Sequence, residues 1–169
     1  MLYTSSELAK ILRRLNDDKE TLIQKEEMSS TFLAASGEDA DSLRPEYDYA
    51  ETGKQIAGID GKVRAIKHAL NIFNSTHKLP GYDMTVDQAL VYIPQLSERR
   101  RRLAEMKNRL PKMREGGMRT SNVIDYRYTN YDPAAAQADF DAVSAELSSI
   151  QTALDLFNTT EKLELDIVL

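Results

Sequence analysis

Apolar residues recur at spacings of three and four along four long segments of the chain, which is the pattern of amphipathic helices. In the second segment these positions are Ile56, Ile59, Val63, Ile66, Leu70 and Phe73. In the fourth segment they are Phe140, Val143, Leu147, Ile150, Leu154 and Phe157. Each series places one apolar seam along a helix. The first and third segments carry comparable seams, so the pattern predicts a helix, a loop and a helix, repeated once.

A cation interrupts the seams of the first and third predicted helices at corresponding places, Lys19 in the first and Arg100 in the third. Two interpretations are open. The aliphatic stems run past the core and the charged ends reach water, or the cations form a polar layer that selects one helix register or subunit contact at a cost in stability. The first interpretation is favoured, because only the seam spacing supports the second.

The second and fourth helices belong to an internal repeat. Residues 47–79 align without gaps with residues 131–163, and eleven of the 33 aligned positions are identical. Ordinary composition would give about two identities by chance. Both copies begin with Tyr-Asp and end with Phe-Asn-x-Thr-x-Lys-Leu. We therefore expect a duplicated helical hairpin within a single domain, residues 1–169, with repeat halves at about 1–83 and 84–169.

Residues typical of helix ends occupy both ends of the repeated segments. Asp48 and Asp132 stand where N-caps belong, and Pro133 follows Asp132 at the first helical position,. Asn74 and Asn158 are expected to end these helices, because Asn tolerates the left-handed conformation that often closes a helix.

The first and third helices have their own start signals. Thr4 and Thr85 are each followed three residues later by Glu or Gln, which is the capping-box pattern,. In the third helix, Pro94 and Pro111 each remove a backbone donor and predict a kink or a break,.

The fold class predicted from these elements is mainly α, a four-helix antiparallel bundle built from two duplicated hairpins. Its two hairpin loops, 29–46 and 116–130, are longer than helix connections require. The sequence NVIDYRYT at 122–129 alternates apolar and polar residues and predicts a strand,. We expect a short β-ribbon in which this strand pairs with residues 30–35 of the equivalent loop.

The amino-acid composition excludes several kinds of functional site. Hydrophobic residues make up 41% and charged residues 29% of the chain, which is a globular balance. The absence of Cys excludes disulfides, a thiol nucleophile and a Cys-based zinc site,. The first residues lack the apolar core of a signal peptide, and no apolar run approaches the roughly 18 residues of a membrane span. A cytoplasmic protein without a membrane span is expected.

Charge is segregated along the chain. Residues 98–119 carry nine Lys and Arg against three Glu, so this window is +6 and the remainder is −11. Such a run suggests phosphate binding, but the net charge of −5 opposes it,. Pairing of Glu98 with Arg102 and of Arg101 with Glu105 at helical spacing favours a solvated or intersubunit face instead. The acidic segment 37–51 is the expected partner of this basic run, within the chain or between copies.

No catalytic, cofactor-binding or metal-binding motif emerges. His68 and His77 lack companions at metal-ligand spacing,. Tyr126 and Tyr128 lie in a long loop, where they either pack it onto helix ends or present an aromatic surface to a ligand,. We expect no cofactor and no enzymatic activity, although a deep pocket beside these tyrosines would revive an enzyme hypothesis.

Several segments from residue 47 onward resemble the septicolysin-like, or DIP1984-type, bacterial proteins. The matching segments are IFNSTHKL, MTVDQAL, GMRTSNVIDYRYTNYD and IQTALDLFNTTEKL. The resemblance implies a small, largely helical, uncharacterised bacterial protein. For some relatives the family name implies a cytolysin-like activity, but it supplies no residues that transfer to this chain.

The sequence thus predicts a noncatalytic protein-interaction or assembly module that associates with itself into a homo-oligomer. Interaction candidates are the seam cation Lys19, the basic residues Arg99, Arg100, Arg101, Arg102, Lys107 and Arg109, and the tyrosines Tyr126 and Tyr128. Two alternatives stay open. One is a membrane-active, septicolysin-like toxin, and the other is a nucleic-acid-binding protein that uses the basic third helix, although nucleic acid is the less favoured partner.

Overall fold

The computed structural model describes residues 1–115 and 124–166, and within them the chain is mainly helical with two small antiparallel sheets. Two compact units emerge: Met1–Thr76 with Asn158–Leu169 form the first unit, and His77–Phe157 form the second unit. The elements in chain order are β1 (Leu2–Thr4), α1 (Ser5–Ser29), α2 (Ala40–Leu43), α3 (Tyr49–Thr76), α4 (Val86–Lys107), β2 (Lys112–Arg114), β3 (Tyr126–Tyr128), α5 (Pro133–Thr160) and β4 (Lys162–Glu164).

In the first unit, α1 and α3 pack antiparallel. The Lys19 ammonium lies 2.7 Å from the Asp60 carboxylate, near the middle of the hairpin. At its loop end, the Tyr47 hydroxyl donates to Glu26 at 2.6 Å. At the opposite end, β1 pairs with β4, and the first residues of the chain are thereby fastened to the segment that follows α5. The hairpin is held at both ends by polar contacts.

In the second unit, α4 and α5 also run antiparallel. The Tyr92 hydroxyl donates to Glu146 at 2.7 Å. Nearer the loop, the Tyr131 hydroxyl donates to the Met106 carbonyl at 2.8 Å. The apolar seam of α5 is buried over most of its length, and the buried residues are Ala136, Val143, Leu147, Ile150, Leu154 and Phe157.

Local geometry recurs at equivalent places in the repeat. Thr4 and Thr85 both form complete capping boxes at the start of their helices. Lys78 forms a β-bridge with Thr85, and the equivalent Lys162 pairs with Thr4 in the β1–β4 ribbon. Between Lys78 and Thr85 the chain turns at Gly81, whose φ of +84° is readily adopted only by glycine,. The Thr4–Lys162 pair in the first unit thus corresponds to the Lys78–Thr85 pair in the second unit. The first pair joins segments distant in sequence, whereas the second closes a single turn.

The helix-start residues predicted from the repeat make side-chain contacts at the starts of α3 and α5. The Asp48 carboxylate accepts from the Glu51 backbone N–H at 3.0 Å. The Asp132 carboxylate accepts from the Ala134 N–H at 2.9 Å, with Pro133 as the first residue of the helix. These bonds occupy donors that a helix start leaves without an intrahelical acceptor.

The predicted helix ends need correction. α3 and α5 continue to Thr76 and Thr160, two residues beyond Asn74 and Asn158. Among residues 1–115 and 124–166, no residue other than glycine has a positive φ, so neither Asn adopts the left-handed conformation. The Thr76 hydroxyl instead donates to the Ile72 carbonyl at 2.8 Å, a bond that helical backbone geometry allows.

The two prolines predicted to kink or break the third helix differ in outcome. α4 runs through Pro94 without a break, because one proline removes only a single backbone donor,. Pro111 lies beyond the last helical residue, Lys107, so the helix ends before it.

The strand predicted at 122–129 is present as β3, but its predicted partner was wrong. β3 pairs antiparallel with β2, with Lys112 opposite Tyr128 and Arg114 opposite Tyr126. Residues 30–35 are outside any strand. Residues 122 and 123 lie outside the described part of the chain. The four-helix bundle, which concerns both units together, stays a prediction, as does the single domain.

Candidate interaction surfaces

Exposed cations follow the outer side of α4 and continue onto the β2–β3 ribbon; we call them the basic surface. Its members are Arg99, Arg100, Arg101, Arg102, Arg109, Lys112 and Arg114, all of them exposed. In the described part of the chain, the guanidinium groups of Arg99, Arg100, Arg102 and Arg109 make neither a hydrogen bond nor an ion pair. Four guanidinium groups are therefore available to an acidic partner.

Arg101 differs from its neighbours because acidic residues of the same helix hold it. It donates to Glu98 at 2.6 Å and lies 3.5 Å from Glu105. The bond to Glu98 raises the pKa of Arg101, and the same bond lowers the pKa of Glu98. Arg102 acts on Glu98 more weakly, through its charge. The predicted contact of Arg101 with Glu105 is present. Glu98 was predicted to pair with Arg102, but it bonds Arg101 instead.

Lys107 is turned toward the second unit's own helix pair. Its ammonium lies 3.6 Å from the centre of the Phe140 ring, a cation–π contact between the end of α4 and the start of α5,. Lys107 is half-buried there. It therefore fastens the helices together, and it is less accessible to a partner than the exposed arginines.

One face of the β2–β3 ribbon combines cations with exposed tyrosines. Residues two apart in a strand point to the same side, so Lys112 and Arg114 share a face with Tyr126 and Tyr128,. The Lys112 ammonium lies 4.1 Å from the Tyr126 ring centre and 5.4 Å from that of Tyr128. Both rings remain about half exposed, at 45% and 62%. A partner with carboxylates and apolar groups would find complementary contacts here.

A cavity of about 760 Å³ lies where α4 passes into the ribbon. Leu110, Met113, Tyr128 and Tyr131 contribute apolar surface, and Arg109 also lines the cavity. The second lining guanidinium, Arg127, forms a two-pronged bond to the Glu115 carboxylate at 2.7 and 2.8 Å, which lowers the pKa of Glu115. Arg109 is thus the lining cation whose charge is not neutralised by a neighbour.

The acidic segment 37–51 lies in the first unit and is exposed along most of its length. Two of its acidic residues make local contacts: Asp39 caps the one-turn helix α2, and Arg44 bonds Asp41 at 2.8 Å. Glu46 makes no hydrogen bond or ion pair within the described residues. The segment therefore keeps most of its negative charge facing solvent.

Burial of the seams differs between equivalent positions of the two halves. Leu96, Leu103, Val143 and Leu147 are buried, with 2–5% of their surface exposed. Their counterparts in the first half are Leu15, Leu22, Ile59 and Val63, and all four are only half-buried. These four positions are thus covered in α4 and α5 but incompletely covered in α1 and α3, whereas Ile66 and Phe73 are buried like their counterparts in α5.

The two seam cations have different surroundings. Lys19 is half-buried and paired with Asp60 across the hairpin, so it forms a polar contact inside the seam. Arg100 is exposed, in keeping with the favoured interpretation that the charged end of a seam cation reaches water,. The repeat counterpart of Asp60 is Ser144, whose buried hydroxyl has no hydrogen-bond partner among the described residues.

Leu33 and the cavity residues Leu110 and Met113 were not among the candidates predicted from sequence. Leu33 is 97% exposed in the loop after α1. The sequence shows only that Leu33 is an apolar residue in a loop. Whether such a residue packs against the protein or faces solvent depends on the tertiary structure. The cavity depends on the pairing of β2 with β3, which the sequence did not predict.

Neither a metal-ligand group nor a membrane-spanning helix occurs among the described residues. His68 and His77 are exposed. Across residues 1–115 and 124–166, no three His, Asp or Glu side chains converge as metal ligands would. In the same residues, no helix combines the length and apolarity that crossing a membrane requires.

Comparison with known proteins places the chain by fold. No protein-family model and no curated protein matches it. Its structure is similar to the crystal structure of a functionally unknown conserved protein from Corynebacterium diphtheriae. The TM-score is 0.64 at 14% sequence identity, over 97% of this chain and 100% of that chain. The likeness shows a shared fold.

Proposed function

We propose that this protein is a noncatalytic assembly module that associates with further copies of itself. The observation that carries the proposal is the unequal burial of equivalent seams. Leu15, Leu22, Ile59 and Val63 are half-buried, whereas the equivalent positions of the second half are buried. Partly exposed apolar seam positions are stabilised when another surface removes them from water.

A second copy is the partner that the charges favour. The acidic segment 37–51 and the basic surface are both exposed, and each lacks enough local counterions to neutralise it. Complementary charges on two copies orient them relative to each other as they approach and raise the association rate. The likeness to a functionally unknown corynebacterial protein over nearly the whole chain supports kinship with an uncharacterised bacterial family, for which we propose the septicolysin-like one.

Absolute molar mass from light scattering after size-exclusion chromatography tests the proposal. We expect a defined multimer at low salt that dissociates toward the monomer as salt shortens the screening length from about 30 Å at 0.01 M to about 3 Å at 1 M. A monomer across the accessible concentration range would refute self-association.

A charge reversal sharpens the test. Glu46→Lys should weaken the multimer, because Glu46 is exposed in the acidic segment and makes no hydrogen bond or ion pair within the described residues. Glu161→Lys makes the same charge change at an exposed position outside that segment and serves as the control. Equal weakening by both variants would show that net charge alone, rather than the acidic segment, governs association.

Single-stranded nucleic acid binding is the second candidate, favoured by the exposed tyrosines beside Lys112 and Arg114 on one ribbon face. Such surfaces bind single strands by stacking the bases on aromatic rings and neutralising the phosphates with cations. The Lys112 ammonium already lies over both rings, which ranks this candidate below self-association. Fluorescence anisotropy with a labelled oligouridylate tests it. Salt-sensitive binding that is lost in Tyr126→Ala/Tyr128→Ala would support it, and absence of binding at low salt would exclude it.

A further inference from the structure

The loop that follows α1 presents an apolar side chain to solvent. Leu33 is 97% exposed, while its neighbour Phe32 is held under the Arg44 guanidinium at 5.6 Å from the ring centre. Just beyond, the Glu38 carboxylate accepts from the Ala35 N–H at 2.8 Å, and the Glu38 N–H donates to the Ala35 carbonyl at 3.1 Å. A hydrogen-bonded turn at 35–38 therefore follows the exposed Leu33.

The cavity at the ribbon base has matching chemistry. Its apolar walls include Leu110, Met113 and the Tyr128 ring. Met is the apolar side chain that best adapts its shape to an incoming group. With 64% and 50% of their surface exposed, Leu110 and Met113 are incompletely covered by their own chain. The cavity can therefore accept an apolar side chain of moderate size.

Charge around the two features is opposite in sign. Leu33 is followed closely by Glu38, Asp39 and Asp41, all exposed. Arg109, which lines the cavity, has no ion pair within the described residues. Lys112 and Arg114 flank the lining residue Met113 on β2. An apolar tip beside carboxylates thus corresponds to an apolar cavity beside cations, which is the arrangement that fixes orientation at an interface.

We infer that Leu33 of one copy inserts into this cavity of a second copy, with the acidic turn after Leu33 against Arg109 and the ribbon cations. The inference rests on the proposed function and names one contact of that assembly. Because the two contacting surfaces differ, the contact either occurs twice across a twofold axis or extends from copy to copy around a ring.

Engineered cysteines test the contact directly, because the chain has no cysteine of its own. Leu33→Cys and Met113→Cys variants are mixed in equal amounts under mild oxidation and separated on a non-reducing gel. We expect a disulfide-linked dimer in the mixture and little in either variant alone. Asp17→Cys, exposed on α1, replaces Leu33→Cys in the control mixture. Equal cross-linking of the control, or none in the test mixture, would overturn the inference.

A second measurement separates this contact from self-association in general. Leu33→Asp should raise the dissociation constant of the multimer by roughly tenfold or more. The thermal midpoint measured below that dissociation constant should stay unchanged, because Leu33 packs against little of its own chain. Met28→Asp, at a residue 74% exposed on α1, is the control and should leave the dissociation constant unchanged.

The two proposals fail differently. A wild-type multimer whose dissociation constant is unaffected by Leu33→Asp overturns the Leu33 contact and leaves self-association intact. A wild-type protein that stays monomeric at every concentration overturns both. If that monomer binds oligouridylate through Tyr126 and Tyr128, the basic ribbon serves nucleic acid instead of a second copy.

Discussion

The contact between Lys19 and Asp60 allows a quantitative test of how the first hairpin is held. The ammonium and carboxylate are 2.7 Å apart, and their side chains are 31% and 43% exposed. At that distance two unit charges attract by about 1.5 kcal/mol in bulk water. Loss of side-chain freedom and solvent screening reduce the net value, so we expect a coupling free energy of about 0.5–1 kcal/mol.

A double-mutant cycle measures this coupling. Urea unfolding of the wild type, Lys19→Met, Asp60→Ala and the double variant gives four free energies of unfolding, from which the pairwise value follows. Protein concentration is held fixed, because association contributes to apparent stability. The coupling should shrink as salt rises toward 1 M, where the screening length is about 3 Å.

Arg100→Met is the matched control, since Arg100 occupies the equivalent place in the repeat but is exposed. We expect it to change the free energy of unfolding by less than about 0.5 kcal/mol. A Lys19–Asp60 coupling indistinguishable from zero would refute the polar contact as a stabilising feature. A coupling above roughly 2 kcal/mol that resists salt would show that the pair is shielded from water, contrary to its exposure.

Three further predictions concern single groups. Ser144→Ala should stabilise the protein by about 1 kcal/mol in urea unfolding, since its buried hydroxyl has no hydrogen-bond partner,; destabilisation would contradict this. Thr4→Ala should cost about 1 kcal/mol through loss of the capping box,, and an unchanged urea midpoint would show that the cap is dispensable. The bond to Glu26 raises the pKa of Tyr47 to about 12. The neutral phenol is therefore favoured in the folded state, and its contribution is full below the ordinary tyrosine pKa of about 10 and lost as pH rises toward 12. Tyr47→Phe should flatten that alkaline decline in stability. Tyrosinate absorbance of the wild type should show late titration by Tyr47 and by Tyr92, whose pKa the bond to Glu146 also raises, and Tyr47→Phe should remove the Tyr47 part of it.

Local features of the fold were predictable because their causes lie within a few residues. The capping boxes at Thr4 and Thr85 need only a side chain three positions away,. Likewise, the alternation around Tyr126 and Tyr128 marks a strand whichever segment pairs with it,. The ends of α3 and α5 were misplaced because Asn permits, but does not require, the left-handed conformation that stops a helix,.

The candidate surfaces were predictable in part. The basic run and the acidic segment are visible as charge alone, and both are exposed in the structure. The roles of individual cations were not visible, since Lys107 lies over the Phe140 ring and Arg101 is held by acidic neighbours. Which cations stay available to a partner depends on the residues that surround each one.

The sequence by itself determined the helices, their start signals, the apolar seams and the charge segregation, because periodicity and capping act over one or two helical turns. Tertiary structure decided which segment pairs with β3, which seam cation lies beside a carboxylate, and at which equivalent seam positions the two halves differ in burial. Those outcomes depend on residues distant in sequence. Two nearly equivalent apolar patterns can therefore end with unequal burial, and the structure shows that inequality between Leu15 and Leu96.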